Sequence, residues 1–216
     1  TATAEDITKW SRSRQHCGIG INTAHTPAVD IDVLDKALSD QMAEFVVDLL
    51  GPAPLRIGRA PKKLLVYRTD KPFAKVKSHT WINDDGDRCA VEILGHGQQF
   101  VAFGTHPGTG KPFTWPNGDS PLNHDANFDL NEIDLPAARA ICDEFDALAK
   151  AQGWEKDPKA SPTRGHVIGK KPEKPVLDAD FDEEDELTED LRDTWDGTVE
   201  ELAGFLAPLP LAFAGP

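Results

Sequence analysis

The sequence predicts a chain of mixed strands and helices, and three observations carry that reading. Ala28-Val29-Asp30-Ile31-Asp32-Val33 alternates apolar and acidic residues with period two, the pattern of a strand with two unlike faces. Leu38, Met42, Phe45, Val46 and Leu49 recur at helical spacing ahead of a Gly51-Pro52 stop, and Ala138, Ile141, Phe145 and Leu148 do the same after Pro136. Residues 89–94 and 98–103 are two strand-like runs joined by Gly95-His96-Gly97, so an antiparallel hairpin is expected there.

The remaining elements follow in order. Thr3-Ala-Glu-Asp6 has the form of a capping box, opening a short helix with Ile7 and Trp10 inward. Gly18-Ile-Gly-Ile-Asn22 reads as a short strand entering a turn over residues 22–27, with the acidic strand behind it. The first amphipathic helix spans about four turns and has the pattern of core packing. Leu64-Leu-Val-Tyr-Arg68 is strand-like, and the second amphipathic helix runs from Leu135-Pro136 to near Gly153, with Pro136 suited to its first turn. Beyond Trp154 the composition turns rich in Lys, Pro and Gly over residues 156–175, then acidic over 178–193. Both stretches read as linker, with Thr198 and Glu201 capping a possible short helix. The domain expected is therefore 1–155, with 156–216 a flexible and partly acidic tail.

Charge and cysteine content bound the function classes. The formal net charge is −14 over 216 residues, but residues 176–201 carry 13 acids and one base. The rest holds 24 acids against 22 bases, so a near-neutral body can still present a basic groove to nucleic acid. Cys17, Cys89 and Cys142 form no Cys-x-x-Cys pair; neither a disulfide framework nor a zinc knuckle is encoded, and a reducing cytoplasm fits best. No apolar run reaches the length of a membrane span. The first residue is Thr and the last stretch is Leu-Pro-Leu-Ala-Phe-Ala-Gly-Pro, which reads as a piece of a longer protein.

Three groups of residues carry chemistry. Asp30 and Asp32 point to one side of their strand, and two carboxylates on a rigid strand suit a hard divalent cation such as Mg²⁺. A strand with a simply solvated outer face would show the same pattern. Arg56, Arg59, Lys62, Lys63 and Arg68 place five bases within 13 residues around Gly58 and Pro61. Phosphate oxygens are gripped by Arg forks and by backbone N–H groups that Gly lets approach, although a solvated basic hairpin would look alike. Glu92 stands among apolar residues, where an unpaired acid is costly, so it is a solvated edge residue or a third ligand. Thr105-His106-Pro-Gly-Thr-Gly-Lys111 is not a phosphate loop: Gly is needed where Thr105 stands, and Ser or Thr where Pro112 stands.

Taken in order, these pieces resemble the N-terminal domain of bifunctional DNA primase/polymerases, the prim-pol branch of the archaeo-eukaryotic primase superfamily found in phages, prophages and plasmids. The Gly18-Ile strand, Asp30-Ile-Asp32-Val, Arg56-Ile-Gly-Arg-Ala-Pro-Lys, Val91-Glu92-Ile and Gly97-Gln-Gln-Phe-Val-Ala-Phe-Gly-Thr-His106-Pro carry the likeness, over roughly residues 18–154. The resemblance implies an α+β fold, with an RRM-like mixed or antiparallel sheet bearing the acids and helices packed behind. It implies nucleotidyl transfer with Mg²⁺ or Mn²⁺, with Asp30, Asp32 and Glu92 as catalytic and metal ligands in a two-metal site. Arg56, Arg59, Lys62 and Lys63 would hold the triphosphate, with His106 approaching the nucleotide. The implied partners are a DNA template and primer, nucleoside triphosphates, and a helicase part beyond Pro216, in a bacterial or phage-infected cell. Two departures stand out. Residues 61–67 lack the family's small-x-His motif, leaving that contact to Lys62 or Lys63, and there is no zinc element. They weigh against priming from scratch more than against nucleotide addition.

Two other functions fit parts of the pattern. A metal-dependent nuclease also uses acids on adjacent strands, but its usual acid-x-Lys partner is replaced by Leu94. A non-catalytic replication or interaction domain could keep the fold without the second motif.

Overall fold

The computed structural model describes residues 3–14, 17–120, 123 and 129–168. The chain divides into two compact units, one of Thr1–Cys17 with Gly169–Pro216 and one of Gly18–Ile168. In the first, helix α1 (Ala4–Ser13) begins directly after Thr3, and Trp10 is buried as its spacing predicts. The side chain of Ile7, the acidic run 178–193 and the possible helix at Thr198 lie outside the described residues.

Among its described residues the second unit has ten strands, two α-helices and a short 3-10 turn at Pro116–Gly118. The strands are β1 (Ile19–Asn22), β2 (Ala28–Asp32), β3 (Leu55–Arg56), β4 (Lys63–Val66), β5 (Val76–Lys77), β6 (Trp81–Ile82), β7 (Arg88–Leu94), β8 (Gln99–Phe103), β9 (Glu155–Lys156) and β10 (Thr163–Arg164). The helices are α2 (Lys36–Leu50) and α3 (Leu135–Ala151). The larger sheet runs β10-β5-β7-β2-β4-β3, with β6 also on β7 and β9 on β6; β1 and β8 form a separate two-stranded sheet. Every strand pairing is antiparallel, so the molecule is the mixed α and β structure with antiparallel sheets that the sequence leads one to expect.

Period-two alternation divides the large sheet into two unlike faces. Val29, Ile31, Leu65, Val76, Val91 and Ile93 face a core shared with Leu38, Met42 and Val46 of α2 and Ala138, Ile141 and Phe145 of α3. Burying each Val, Leu, Ile, Met or Phe among them contributes about 1.5–3 kcal/mol. Ala28, Leu64, Val66 and Leu94 belong to a smaller cluster with Phe100 and Ala102 of β8. Both helices start at an aspartate whose side chain takes a backbone N–H: Asp35 from Leu38 at 2.7 Å, Asp134 from Ala137 at 2.8 Å. Leu49 is exposed, because α2 presents its face to the sheet through Leu38, Met42 and Val46.

Two expectations need correction. The runs at 89–94 and 98–103 are both strands, but they do not pair with each other. β7 has β2 on one edge and β5 and β6 on the other, which leaves β8 to pair with β1. The chain turns away at Gly95, where a Cβ would stand 2.2 Å from the Phe73 carbonyl oxygen, and His96 donates its N–H to that oxygen at 2.8 Å. The folded unit also continues past Trp154 to Ile168. Residues 156–168, read as linker, complete β9 and form β10, and the Arg139 guanidinium donates to the carbonyls of Arg164 (2.8 Å) and Gly165 (3.1 Å). Strands of two residues leave no periodicity to read, and these are held by pairing to β6 and β5. Among the described residues, no helix is long and apolar enough to cross a membrane.

A chain ending at Trp154 loses both short strands and the Arg164–Asp143 ion pair. It should melt several degrees below a chain ending at Ile168, read by circular dichroism. Equal melting temperatures would show that residues 155–168 add nothing to the fold.

Candidate active site

The registers of the large sheet place five residues in one cross-strand row: Lys77 opposite Glu92, Glu92 opposite Asp30, Asp30 opposite Leu64, and Leu64 opposite Arg56. Residues directly opposite share a face, with Cβ atoms about 4.5–5.5 Å apart. Asp32, two residues beyond Asp30, shares it too and stands opposite Ala90. Asp30, Asp32 and Glu92 therefore project together from the face away from α2 and α3. The apolar cluster of Ala28, Leu64, Val66 and Leu94 covers one end of that face.

Beside the acids lies a cavity of about 180 Å³ lined by Asp30, Asp32, Arg56, Gly58, Arg59, Lys62, Lys63 and His106. Its wall is made by two loops clipped together, with Ile57 and Thr114 exchanging backbone hydrogen bonds at 2.8 and 2.9 Å. Gly58 permits this closure: a Cβ there would meet the Phe113 ring at 2.5 Å and His106 at 2.8 Å. Those two rings pack edge to face with centroids 5.4 Å apart. The Arg56 guanidinium lies 4.6 Å from the Phe113 ring centroid and donates to the Val101 carbonyl of β8, so it is fixed before any ligand arrives.

The electrostatics follow from three acids on one face. Burial pushes the Asp30 carboxyl up to about 6; Arg56 and Lys62 pull it down, while Asp32 and Glu92 add to the rise. Burial also pushes Glu92 up, but Lys75 and Lys77 outweigh it and hold the carboxyl below its ordinary range. Glu92 is ion-paired to both lysines, to Lys77 at 3.0 Å, and Asp32 is ion-paired to Lys62. Burial pulls the Arg56 guanidinium down, opposed by Asp30.

Seven of the eight residues to which the family resemblance gives a role thus line one cavity, and the eighth, Glu92, joins them through its register with Asp30, whereas Arg68 of the basic run pairs with Asp70 and Glu132. Lys63 meets the cavity from the other side of the sheet: it stands opposite Ile31, and its ammonium pairs with Asp40 of α2. Of the two lysines that could replace the absent histidine, only Lys62 turns its charge to the acids. Lys75 and Lys77 were missed, although Lys75-Val-Lys77 carries the same period-two signal as Asp30-Ile-Asp32. Phe113 was missed because an isolated aromatic in a loop gives no pattern.

Among the described residues no three His, Cys, Asp or Glu side chains stand close enough to cage a metal ion in their present rotamers. The donor set nonetheless fits a hard cation: three carboxyls share a face, Asp30 is perturbed by the other two, and ammonium groups now neutralise Asp32 and Glu92. The ammonium groups would have to give way to it.

The sheet thus crowds three carboxyls beside a cavity that Arg56, Arg59, Lys62 and Lys63 line. Residues 1–127 match the family model described as bifunctional DNA primase/polymerase, N-terminal (Prim-Pol). The chain belongs to that family, whose general activity is nucleotidyl transfer from nucleotide substrates to DNA. No curated protein and no solved structure matches it.

Asp30 gives the site a pH signature. Its folded pKa of about 6 lies above the ordinary 3.8, so between these values the native chain binds more protons than the unfolded one. Its contribution to stability falls as pH rises from about 4 to about 6. In metal-free buffer Asp30→Asn should be the more stable above pH 6, by at most about 3 kcal/mol, with the difference vanishing below about pH 4. Urea denaturation across that range checks this; a pH-independent difference would contradict it.

Proposed function

We propose that the chain is the primase/polymerase domain of a phage- or plasmid-type replication protein that adds nucleotides to a 3′-hydroxyl at Asp30, Asp32 and Glu92. The observation that carries the reading is the register that sets Glu92 against Asp30 with Arg56 in the same row. The large sheet with α2 and α3 behind it takes the part of the RRM-like core. A helicase part of the same longer protein, working in a bacterial or infected cell, completes the role.

In this mechanism Asp30, Asp32 and Glu92 would hold Mg²⁺ or Mn²⁺, which would supply Lewis acidity toward the attacking hydroxyl and positive charge toward the triphosphate. Arg56, held by Phe113 and the Val101 carbonyl, presents a fixed positive charge to the triphosphate. Arg59 is exposed at the cavity mouth and free to close on phosphate oxygens as a fork. Lys62, ion-paired to Asp32 at the cavity wall, would present its ammonium to a phosphate. His106, edge-on to Phe113, bounds the cavity where the nucleotide enters.

Incorporation of labelled dNTP on a primed template tests the reading. Asp32→Asn should abolish Mg²⁺- or Mn²⁺-dependent addition while leaving the melting temperature within a few degrees of the parent or above it. Cleavage of the template without dNTP would make the chain a nuclease, and no incorporation by the parent chain would make it a non-catalytic domain.

Arg59→Ala should raise KM for dNTP about tenfold, the scale of one lost charged hydrogen bond, with a smaller effect on template binding. An unchanged KM would return residues 54–63 to a solvated basic loop.

A further inference from the structure

We propose that Lys75 and Lys77 form a second anion subsite, which takes the phosphate backbone of the nucleic-acid strand on the side of the acids opposite the triphosphate. The inference rests on the nucleotidyl-transfer reading of the acids. Such a centre must hold two polyanions around the reacting atoms: the incoming triphosphate, and the strand that ends in the attacking hydroxyl. The row Lys77, Glu92, Asp30, Leu64, Arg56 puts cations at both ends with carboxylates between. The Arg56 end is the enclosed cavity shared with Arg59 and Lys62, and Lys75 and Lys77 are not part of its lining.

Two features mark the Lys77 end as more than neutralisation of Glu92. Two ammonium groups meet one carboxylate, so that flank keeps a surplus positive charge where one lysine would balance the acid. Both side chains also stay within reach of solvent, Lys75 at 30% and Lys77 at 26% exposure. Beyond them the described sheet ends in two-residue β10, whose exposed Thr163 stands opposite Lys77. Were Glu92 to hold a cation, both ammonium groups would be free to meet a polyanion passing along β5.

The experiment uses the 216-residue chain and a fluorescein-labelled primer–template duplex with a single-stranded overhang. Anisotropy is read in EDTA and again with Ca²⁺, across about 50–200 mM salt. Lys75→Gln/Lys77→Gln should weaken DNA binding about tenfold, and the slope of log K against log[salt] should fall by about 1.5–2 as two phosphate contacts are lost. Affinity for a fluorescent dNTP should stay unchanged, and Lys75→Arg/Lys77→Arg should restore both affinity and slope. If the double Gln variant does not fold, each single Gln variant keeps one lysine on Glu92 and should lower the slope by about 1. An unchanged slope, or an equal loss of dNTP affinity, overturns the subsite. Lysine-dependent DNA binding by a parent chain that adds no nucleotide would sink the polymerase reading and keep this one. Nucleotide addition with lysine-independent DNA binding would do the reverse.

Discussion

Asp30 and Glu92 stand directly opposite each other on β2 and β7, the two central strands of the large sheet. Like charges in a cross-strand pair repel, and half-burial beside apolar residues strengthens the repulsion. A sheet selected for stability alone would place a Val or Thr at either position. Much of the local structure answers this one conflict. Lys75 and Lys77 approach Glu92 from the β5 side, Lys62 closes on Asp32, and the half-buried Arg56 opposes Asp30.

The two faces of the sheet divide the labour. The face toward α2 and α3 is continuous and apolar, and it supplies most of the burial that stabilises the unit. That surplus lets the opposite face carry three acids. Its far end is apolar, where β1 and β8 cover it and Arg56 reaches across to the Val101 carbonyl. Arg56 thereby ties the small sheet to the wall of the cavity. Phe113 and His106 packed over Gly58 fix the loop that bears Arg59, so the cavity's shape is set by ring packing as much as by charge.

Membership of the primase/polymerase family gives this arrangement a chemical setting, but the residues set its particular form. The family's small-x-His motif has no counterpart in residues 61–67, and a lysine paired to Asp32 stands nearest the acids from that segment. A lysine is a flexible point charge and not a directed donor and acceptor, so phosphate contact from Lys62 would be looser than from an imidazole.

The local pattern of the chain determined the acid strand and both long helices. Each rests on a period or a cluster that neighbouring residues display without help from the fold. Asp30-Ile-Asp32 could be assigned to one face because strand geometry alone dictates it. Tertiary structure decided what pairs with what. Glu92 could be named but not placed, since its register with Asp30 depends on two strands separated by about sixty residues of chain. The same holds for β8, which looked like the hairpin partner of β7 and went to β1 because both edges of β7 were already taken. Strands β9 and β10 are two residues each and exist only through their partners, so the unit's true end at Ile168 was invisible to any local reading. Lys63 shows the limit most plainly: one residue of register turned a predicted phosphate ligand onto the helix side, where Asp40 holds it.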